Sequence, residues 1–453
     1  MLSRFIITIR KNPKSVFWCV SICFTIVFSF AKRFGDDLGS MRVIGGAISD
    51  YWNKAIELYA TWSSRVLVNF VLYIFTDRNP LLWALYMGVC AFILMYALSA
   101  LFTNKGSKNA NMIIAVLVTA YTFRDINTAG WIATTTTYFG PTAFGFLSLV
   151  PIKKIIKNEK FHQYEYLVYT LALIYAANNE QMMLVILGAY FIATVCFLCN
   201  KKFRGYLFFQ LLLSVASCCF IITCPGNIVR KGVEIRWFPT YGILDRIDKI
   251  DLGYSTTMKW LFFENNPFVL YILILFTVLI WKEYKSAVLR SVALFPVIIL
   301  SLTGPLKPVA DYAFPNLNEL ISDNPSTYGL VTPENQGGVL QFSIYLIWAV
   351  LIIIICIEIV MLSRDLKILL SSFVLLGTGL ISRMIMGFSP TIYASKYRTC
   401  EVLAFCIIAV GCLIYSQYDQ IDVFTKKEKK IINYSAQGLL FFNLINLLFL
   451  VAA

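Results

Sequence analysis

An all-α polytopic membrane protein is the fold class the sequence predicts, as one integral-membrane domain over residues 1–453 with no separate soluble domain. Three observations lead there. Apolar residues make up 58% of the chain and charged residues only 14%, whereas soluble domains carry about 25% charged residues. Apolar runs close to the roughly 20 residues needed to cross a bilayer recur from end to end. No connection between these runs has the size and composition of a soluble catalytic domain. The single histidine, His162, also excludes chemistry that needs a histidine pair or a multi-histidine metal site.

In chain order, 13 spans are predicted, at about 15–31, 81–102, 110–123, 138–152, 164–177, 181–199, 205–223, 266–281, 287–304, 339–362, 367–386, 399–416 and 432–451. Alternate connections collect the basic residues. Of the 39 lysines and arginines, 22 fall in short loops of one side, among them Lys153, Lys154, Lys201, Lys202, Lys426 and Lys427. The positive-inside rule makes that side cytoplasmic, so the N-terminus lies inside and the longer loops face outward. The net charge of +14 is then an insertion signal, and no nucleic-acid partner is expected. Arg10-Lys11 precede an apolar run as in a signal peptide, but Phe30-Ala31-Lys32-Arg33 lacks a small-x-small cleavage pattern; a retained anchor is expected. The 12 cysteines fall nearly all within spans, where Cys196 and Cys199 read as packing residues rather than a redox pair.

The first outer loop, 32–80, opens on Gly35-Asp36-Asp37 at the water interface. Two adjacent carboxylates there suit a general base or the ligands of a divalent metal, Mg or Mn. Downstream, Ile48, Trp52, Ala55, Ile56 and Tyr59 share one helical face, opposite Asp50, Asn53, Lys54 and Glu57, the pattern of an interfacial helix. Val66 to Phe75 is apolar but too short to span, so a second interfacial or re-entrant segment is expected, with Trp62 and Arg65 at the join. Such a loop would form the floor of a site facing lipid.

The second outer loop carries Trp131, Thr134 to Thr137 and Tyr138. These offer the hydroxyls and aromatic faces that sugar sites use, or equally a polar turn within an aromatic belt. The third is only Asn178-Asn179-Glu180-Gln181, costly to bury unless paired. Glu180 there is placed to orient an arginine or a substrate hydroxyl, or to serve as part of a simple polar turn. The fourth, 224–265, sets a Pro225-Gly226-Asn227 turn before Arg230, Lys231 and Arg236. Arginine forks match phosphate oxygens, so this loop reads as a phosphate clamp, with snorkelling to lipid headgroups as the alternative. The fifth, 305–338, is rich in proline and acids and reads as an irregular cover or lid. The last outer stretch puts Lys396 and Arg398 just ahead of a span, with Glu401 within reach of Arg398.

The order of these landmarks carries a resemblance. Gly35-Asp36-Asp37 follows the first span, then come Tyr59 to Arg65, Trp131 to Tyr138, Glu180 at a span junction, Pro225-Gly226-Asn227 with Arg230, and late Ser389-Pro390 with Arg398. Together they resemble the polytopic bacterial glycosyltransferases of the GT-C superfamily, especially the serotype-conversion Gtr-like glucosyltransferases. The resemblance implies a GT-C-like bundle, here of about 13 transmembrane helices with interfacial helices in the first outer loop. It implies transfer of a sugar from a polyprenyl-phosphate or diphosphate donor to a surface polysaccharide or lipid-linked glycan, on the outer face of the bacterial plasma membrane. An acid of the first outer loop, Asp36 or Asp37, would be the catalytic base or a metal ligand. Arg65, Arg230 and Arg398 would meet phosphate or substrate, and the chemistry of Trp62, Tyr138, Glu180, Asn227, Arg236 and Lys396 adds them to the substrate-binding set. The departure is Thr134 to Thr137, where relatives favour Gly-Ser-x-Asn before the tyrosine.

The expected partners are the lipid-linked donor, the glycan acceptor and membrane lipids, with other polysaccharide-assembly proteins. Two other classes stay open. A repeat-unit polymerase or ligase would use the same carrier and outer arginines. A lipid-linked oligosaccharide flippase or other transporter would place its charges at mid-membrane, where acids within the predicted spans are few, Glu358 and Glu401 among them.

Overall fold

The computed structural model describes residues 12–40, 46–103, 107–313, 339–421 and 423–453. Regular structure among them is entirely helical. Eight helices are long and apolar enough to cross a membrane, and up to ten if each of two bent pairs counts as one span. The chain is a multi-pass membrane protein, and the expected 13 spans are not reached among the described residues.

The shortfall has two physical causes. The runs predicted at 15–31, 110–123 and 164–177 form the helices Ser15–Phe28, Lys108–Thr119 and Gln163–Ala176, of 14, 12 and 14 residues. At 1.5 Å per residue these rise only about 18–21 Å, short of the roughly 30 Å hydrocarbon core. Two further predicted spans are arms of bent pairs. Arg246–Phe263 meets Pro267–Glu283 at 68°, and Ala287–Thr303 meets Lys307–Ala313 at 86°. Pro267 opens the second arm of the first pair, a position where its missing N–H costs nothing.

The chain divides into two compact units: Met1–Thr119, Phe123–Val233 and Phe424–Ala453 in the first, Ala120–Thr122 and Glu234–Val423 in the second. In the first, polar side chains at helix starts satisfy N–H groups that have no partner within the helix. Asn79 accepts from Leu81 N–H at 2.9 Å ahead of Pro80–Phe102, and Asn179 accepts from Gln181 and Met182 ahead of Glu180–Cys199. Thr425 and Glu428 form a reciprocal cap on Lys426–Ala452. The core is aromatic. Phe28 packs edge-on to Trp83, Phe123 and Trp131 at 5.4–5.8 Å, and the Trp83 indole donates to Thr135 Oγ1 at 3.0 Å. The first helix is thereby fixed to the short helix Trp131–Thr137, a tie that positions the site below.

The amphipathic run read from sequence forms the helix Ile48–Thr61, and the short apolar segment after it is the helix Val66–Asp77. The latter rises about 18 Å and does not reach across a bilayer. The apolar face of Ile48–Thr61 is split. Tyr51 and Ala55 are buried against Val66 and Tyr73, whereas Ile48, Trp52 and Ile56 stay exposed. Residues 314–338, most of the proline-rich cover, lie outside the described residues.

In the second unit, Phe238, Tyr241, Leu244, Leu252 and Ile392 form a core cluster around the start of Arg246–Phe263. The Tyr241 hydroxyl donates to Gly387 O at 3.1 Å. At the other end of its helices, Arg364 pairs with Glu283, which also accepts from the Tyr418 hydroxyl at 2.9 Å.

Candidate functional site

The two adjacent acids Asp36 and Asp37 have different surroundings. Both sit at the start of the short helix Asp36–Ser40, where Asp36 is exposed and Asp37 is 0% exposed. Asp37 Oδ1 accepts from the Ala133 N–H at 2.7 Å, so its carboxylate caps the start of Trp131–Thr137. That helix has no cap of its own, because its N-cap residue is Gly130. Gly130 holds φ of +125°, and a Cβ on it would lie 2.5 Å from Asp37 Oδ1, so only glycine fits this approach. Burial pushes the Asp37 carboxyl above the usual carboxylate range, against the pull of backbone N–H groups from Ala133, Ile132, Phe34 and Trp131.

The same geometry tests a divalent cation. Asp37 is turned onto a helix N-terminus, the positive end of the helix dipole, and a cation beside it would be repelled. Asp36 alone of the two remains as a carboxylate open to solvent, so the pair fits a metal poorly.

At the far end of Trp131–Thr137, Tyr138 sits in the break before the helix Phe139–Ile156. Its ring centre lies 5.6 Å from the Arg65 guanidinium carbon. Arg65 reaches Glu180 Oε2 through Nε at 2.7 Å and Nη2 at 2.6 Å, and Ser64 Oγ donates to Glu180 Oε1 at 3.3 Å. Burial works against the Arg65 charge, but the Glu180 carboxylate outweighs it and carries the guanidinium above its usual range. Arg230 adds a second positive charge that acts on Glu180. Residues named from four separate stretches of sequence thus share one centre.

The polar junction Asn178-Asn179-Glu180 holds that centre together. Asn178 Oδ1 accepts from Leu67 N–H at 2.8 Å and Val68 N–H at 3.3 Å, while its Nδ2 donates to Ser64 O. Asn179 Nδ2 donates to Thr137 O at 3.0 Å. Two amides and one acid therefore bind both the Arg65 turn and the end of the Tyr138 helix. Ser64, Asn178 and Asn179 were not singled out as site residues from sequence; the available signal was an Asn-Asn-Glu run at a helix start, which reads as a cap.

The remaining residues of the sequence-derived set fall in several places. Trp62 closes the helix Ile48–Thr61 with its N–H on Leu58 O, and a Cβ on Gly226 would clash with the Trp62 amide, so glycine lets the two turns touch. Asn227 Nδ2 donates to Ile221 O at 3.1 Å, an internal cap for the helix Gly205–Ile222. Arg236, Lys396 and Arg398 belong to the second unit. Arg236 is exposed over the Trp237 ring, Lys396 is exposed with φ of +48°, and Arg398 is half-buried. The expected Arg398–Glu401 pair does not form. Glu401 heads its helix packed inward at 1% exposure, and neither carboxylate oxygen has a hydrogen-bond partner.

The threonine run also differs from the sugar-site reading. Thr134, Thr135 and Thr136 are buried; Thr135 and Thr137 donate to the carbonyls four residues back, and Thr134 does the same to Gly130. Trp131 is buried in the aromatic core rather than offered as a platform. Helix geometry gives the last useful dimension: the seven residues of Trp131–Thr137 separate the Asp36–Asp37 end from the Arg65–Glu180 end by about 10 Å. No protein-family model, no curated protein and no solved structure matches this chain.

Proposed function

We propose that this chain is a membrane glycosyltransferase that moves a sugar from a polyprenyl-phosphate or diphosphate donor to a glycan acceptor on the outer face of a bacterial plasma membrane. The observation that carries the reading is the Arg65–Tyr138–Glu180–Arg230 centre, set one short helix away from an exposed carboxylate at Asp36. A departing phosphate needs positive charge fixed in advance, and Arg65 is fixed by Glu180, on which the Arg230 charge also acts. An attacking hydroxyl needs a base, and Asp36 is the acid of the pair that solvent and an acceptor reach.

In this reading the Asp36 carboxylate takes the proton of the acceptor hydroxyl as its oxygen attacks the anomeric carbon. The bond from that carbon to the phosphate oxygen breaks, and its electron pair leaves with the lipid phosphate toward Arg65 and Arg230. Asp37 acts through its cap on that helix and not on the acceptor.

The test compares surface glycans from cells carrying wild type, a deletion, or Asp36→Asn. Loss of one sugar residue in both the deletion and Asp36→Asn supports the reading; an intact glycan with Asp36→Asn overturns it. Accumulated single repeat units would instead make the chain a polymerase or ligase.

One observation favours a second reading, transport of the lipid-linked glycan. Glu358 and Glu401 are 2% and 1% exposed within apolar helices, and their carboxylate oxygens have no hydrogen-bond partner. Such acids mark ion or substrate paths in many transporters. Loss of function in Glu358→Gln, with Asp36→Asn fully active, would select transport.

A further inference from the structure

Next to the arginine centre the first unit holds a cavity of about 480 Å³ with a nearly all-apolar lining. The helix Ile48–Thr61 contributes Trp52 and Ile56, the helix after it Val66 and Leu67, and the helix Gly205–Ile222 contributes Leu213 and Ala216. Trp52, Ile56 and Ala216 are exposed, so the cavity is open along its side. Asn178 and Ser217 are among its few polar linings, and Asn178 already bonds the Leu67 and Val68 amides. Val66 and Leu67 directly follow Arg65, and Asn178 lies two residues before Glu180, so one end of the cavity lies beside the Arg65–Glu180 pair, on which the Arg230 charge also acts.

An apolar trough ending at fixed positive charge is complementary to a single apolar chain that ends in phosphate. At roughly 30 Å³ for each water-sized group, the volume holds about sixteen carbon-sized groups, or three isoprene units. We infer that this cavity seats the first three isoprene units of the donor's lipid, that recognition ends there, and that the rest of the chain stays in the bilayer. This rests on the glycosyltransferase reading for the identity of the lipid, while the cavity and its charge stand without it.

The test measures binding of sugar-free prenyl phosphates to the full chain in lipid nanodiscs, with concentrations counted as mole fraction in the bilayer so that partitioning cancels. Farnesyl phosphate, with three isoprene units, should bind within about threefold of a long-chain prenyl phosphate. Ala216→Trp fills the trough from one wall and Ile56→Trp from another; both positions are exposed, so the fold tolerates the bulk. Each should weaken farnesyl phosphate at least tenfold while thermal unfolding stays within a few degrees of wild type.

Three results overturn the inference: unchanged binding in both tryptophan variants, a tenfold or greater gain from chain length beyond three units, or equal competition by phosphatidic acid. Because binding is read without transfer, an active Asp36→Asn variant would remove the enzyme reading and leave these binding results to decide the lipid site on their own.

Discussion

Replacing Glu180 by glutamine removes the carboxylate that balances Arg65, and the structure sets the size of the effect. The pair makes two short charge-assisted contacts at 2.7 and 2.6 Å, and its side chains are 16% and 29% exposed. It therefore lies between a surface bridge, worth about 0–1 kcal/mol, and a buried one, whose breaking costs about 3–5 kcal/mol. Glutamine keeps an acceptor for Ser64, so the expected loss for Glu180→Gln is about 2 kcal/mol, most of it the cost of leaving the Arg65 charge half-buried alone. At about 1–2 °C for each kcal/mol in a chain of 453 residues, a detergent melt followed by intrinsic fluorescence should fall by about 2–4 °C. The double variant Arg65→Met with Glu180→Leu removes both charges and should return to within about 1 kcal/mol of wild type. Lipid-phosphate binding should be lost in that double variant, because it lacks Arg65. A Glu180→Gln protein that melts with wild type would refute the structural claim. A double variant that binds and transfers normally would refute the functional one.

Other outcomes follow from the same geometry. Asp36→Asn should lower transfer by about 10²-fold or more with an unchanged melt, since the side chain is exposed and supports no helix. Asp37→Ala should lose about 1–2 kcal/mol through the uncapped Trp131–Thr137 helix, while Asp37→Asn retains an acceptor and most of that stability. The pH dependence has a definite sign: the folded Asp37 carboxyl is raised above its ordinary 3.8, so its contribution is fully present below that value and is lost as pH rises through the raised one. The melt of wild type relative to Asp37→Asn should accordingly fall as pH is raised from 4, and a rising difference would contradict the burial. Reporter fusions at positions 105 and 240 should report inside and outside respectively, and the reverse pattern would place the arginine centre on the cytoplasmic face.

What the sequence disclosed, and what it hid, follows from the solvent this chain folds in. In a chain with 14% charged residues, each arginine or acid away from the basic loops stands out, and Arg65, Glu180 and Arg230 were legible for that reason. The amphipathic helix Ile48–Thr61 was legible from its periodicity, and the shortness of Val66–Asp77 from the length of its apolar run. The span count was not, because an apolar run only bounds a helix; Pro267 breaks one such region at 68° and Gly304 marks the bend of another. Nor could adjacent identical residues be told apart. Asp36 and Asp37 differ only because Gly130 brings a distant helix start onto the second of them. The apolar trough was the least visible feature of all, since its walls come from separated segments whose composition matches every lipid-facing surface of the chain.

Membrane burial also explains why the centre sits where helices end. Within hydrocarbon each backbone N–H and C=O must find a partner, so helix ends demand polar side chains that spans otherwise exclude. Here Asn178 closes the Leu67 and Val68 amides, Asn179 closes both its own helix start and Thr137 O, and Asp37 closes the start at Ala133. Each of these caps joins two elements distant in sequence, and each lies within two residues of Arg65, Tyr138, Glu180 or Asp36, or bonds a residue that does. The rigidity that holds Arg65 and Tyr138 in register is thus a by-product of satisfying backbone groups. A loop tethered only by side-chain packing would leave the arginine free to move; three capped helix ends hold it in place beside Tyr138 and Glu180.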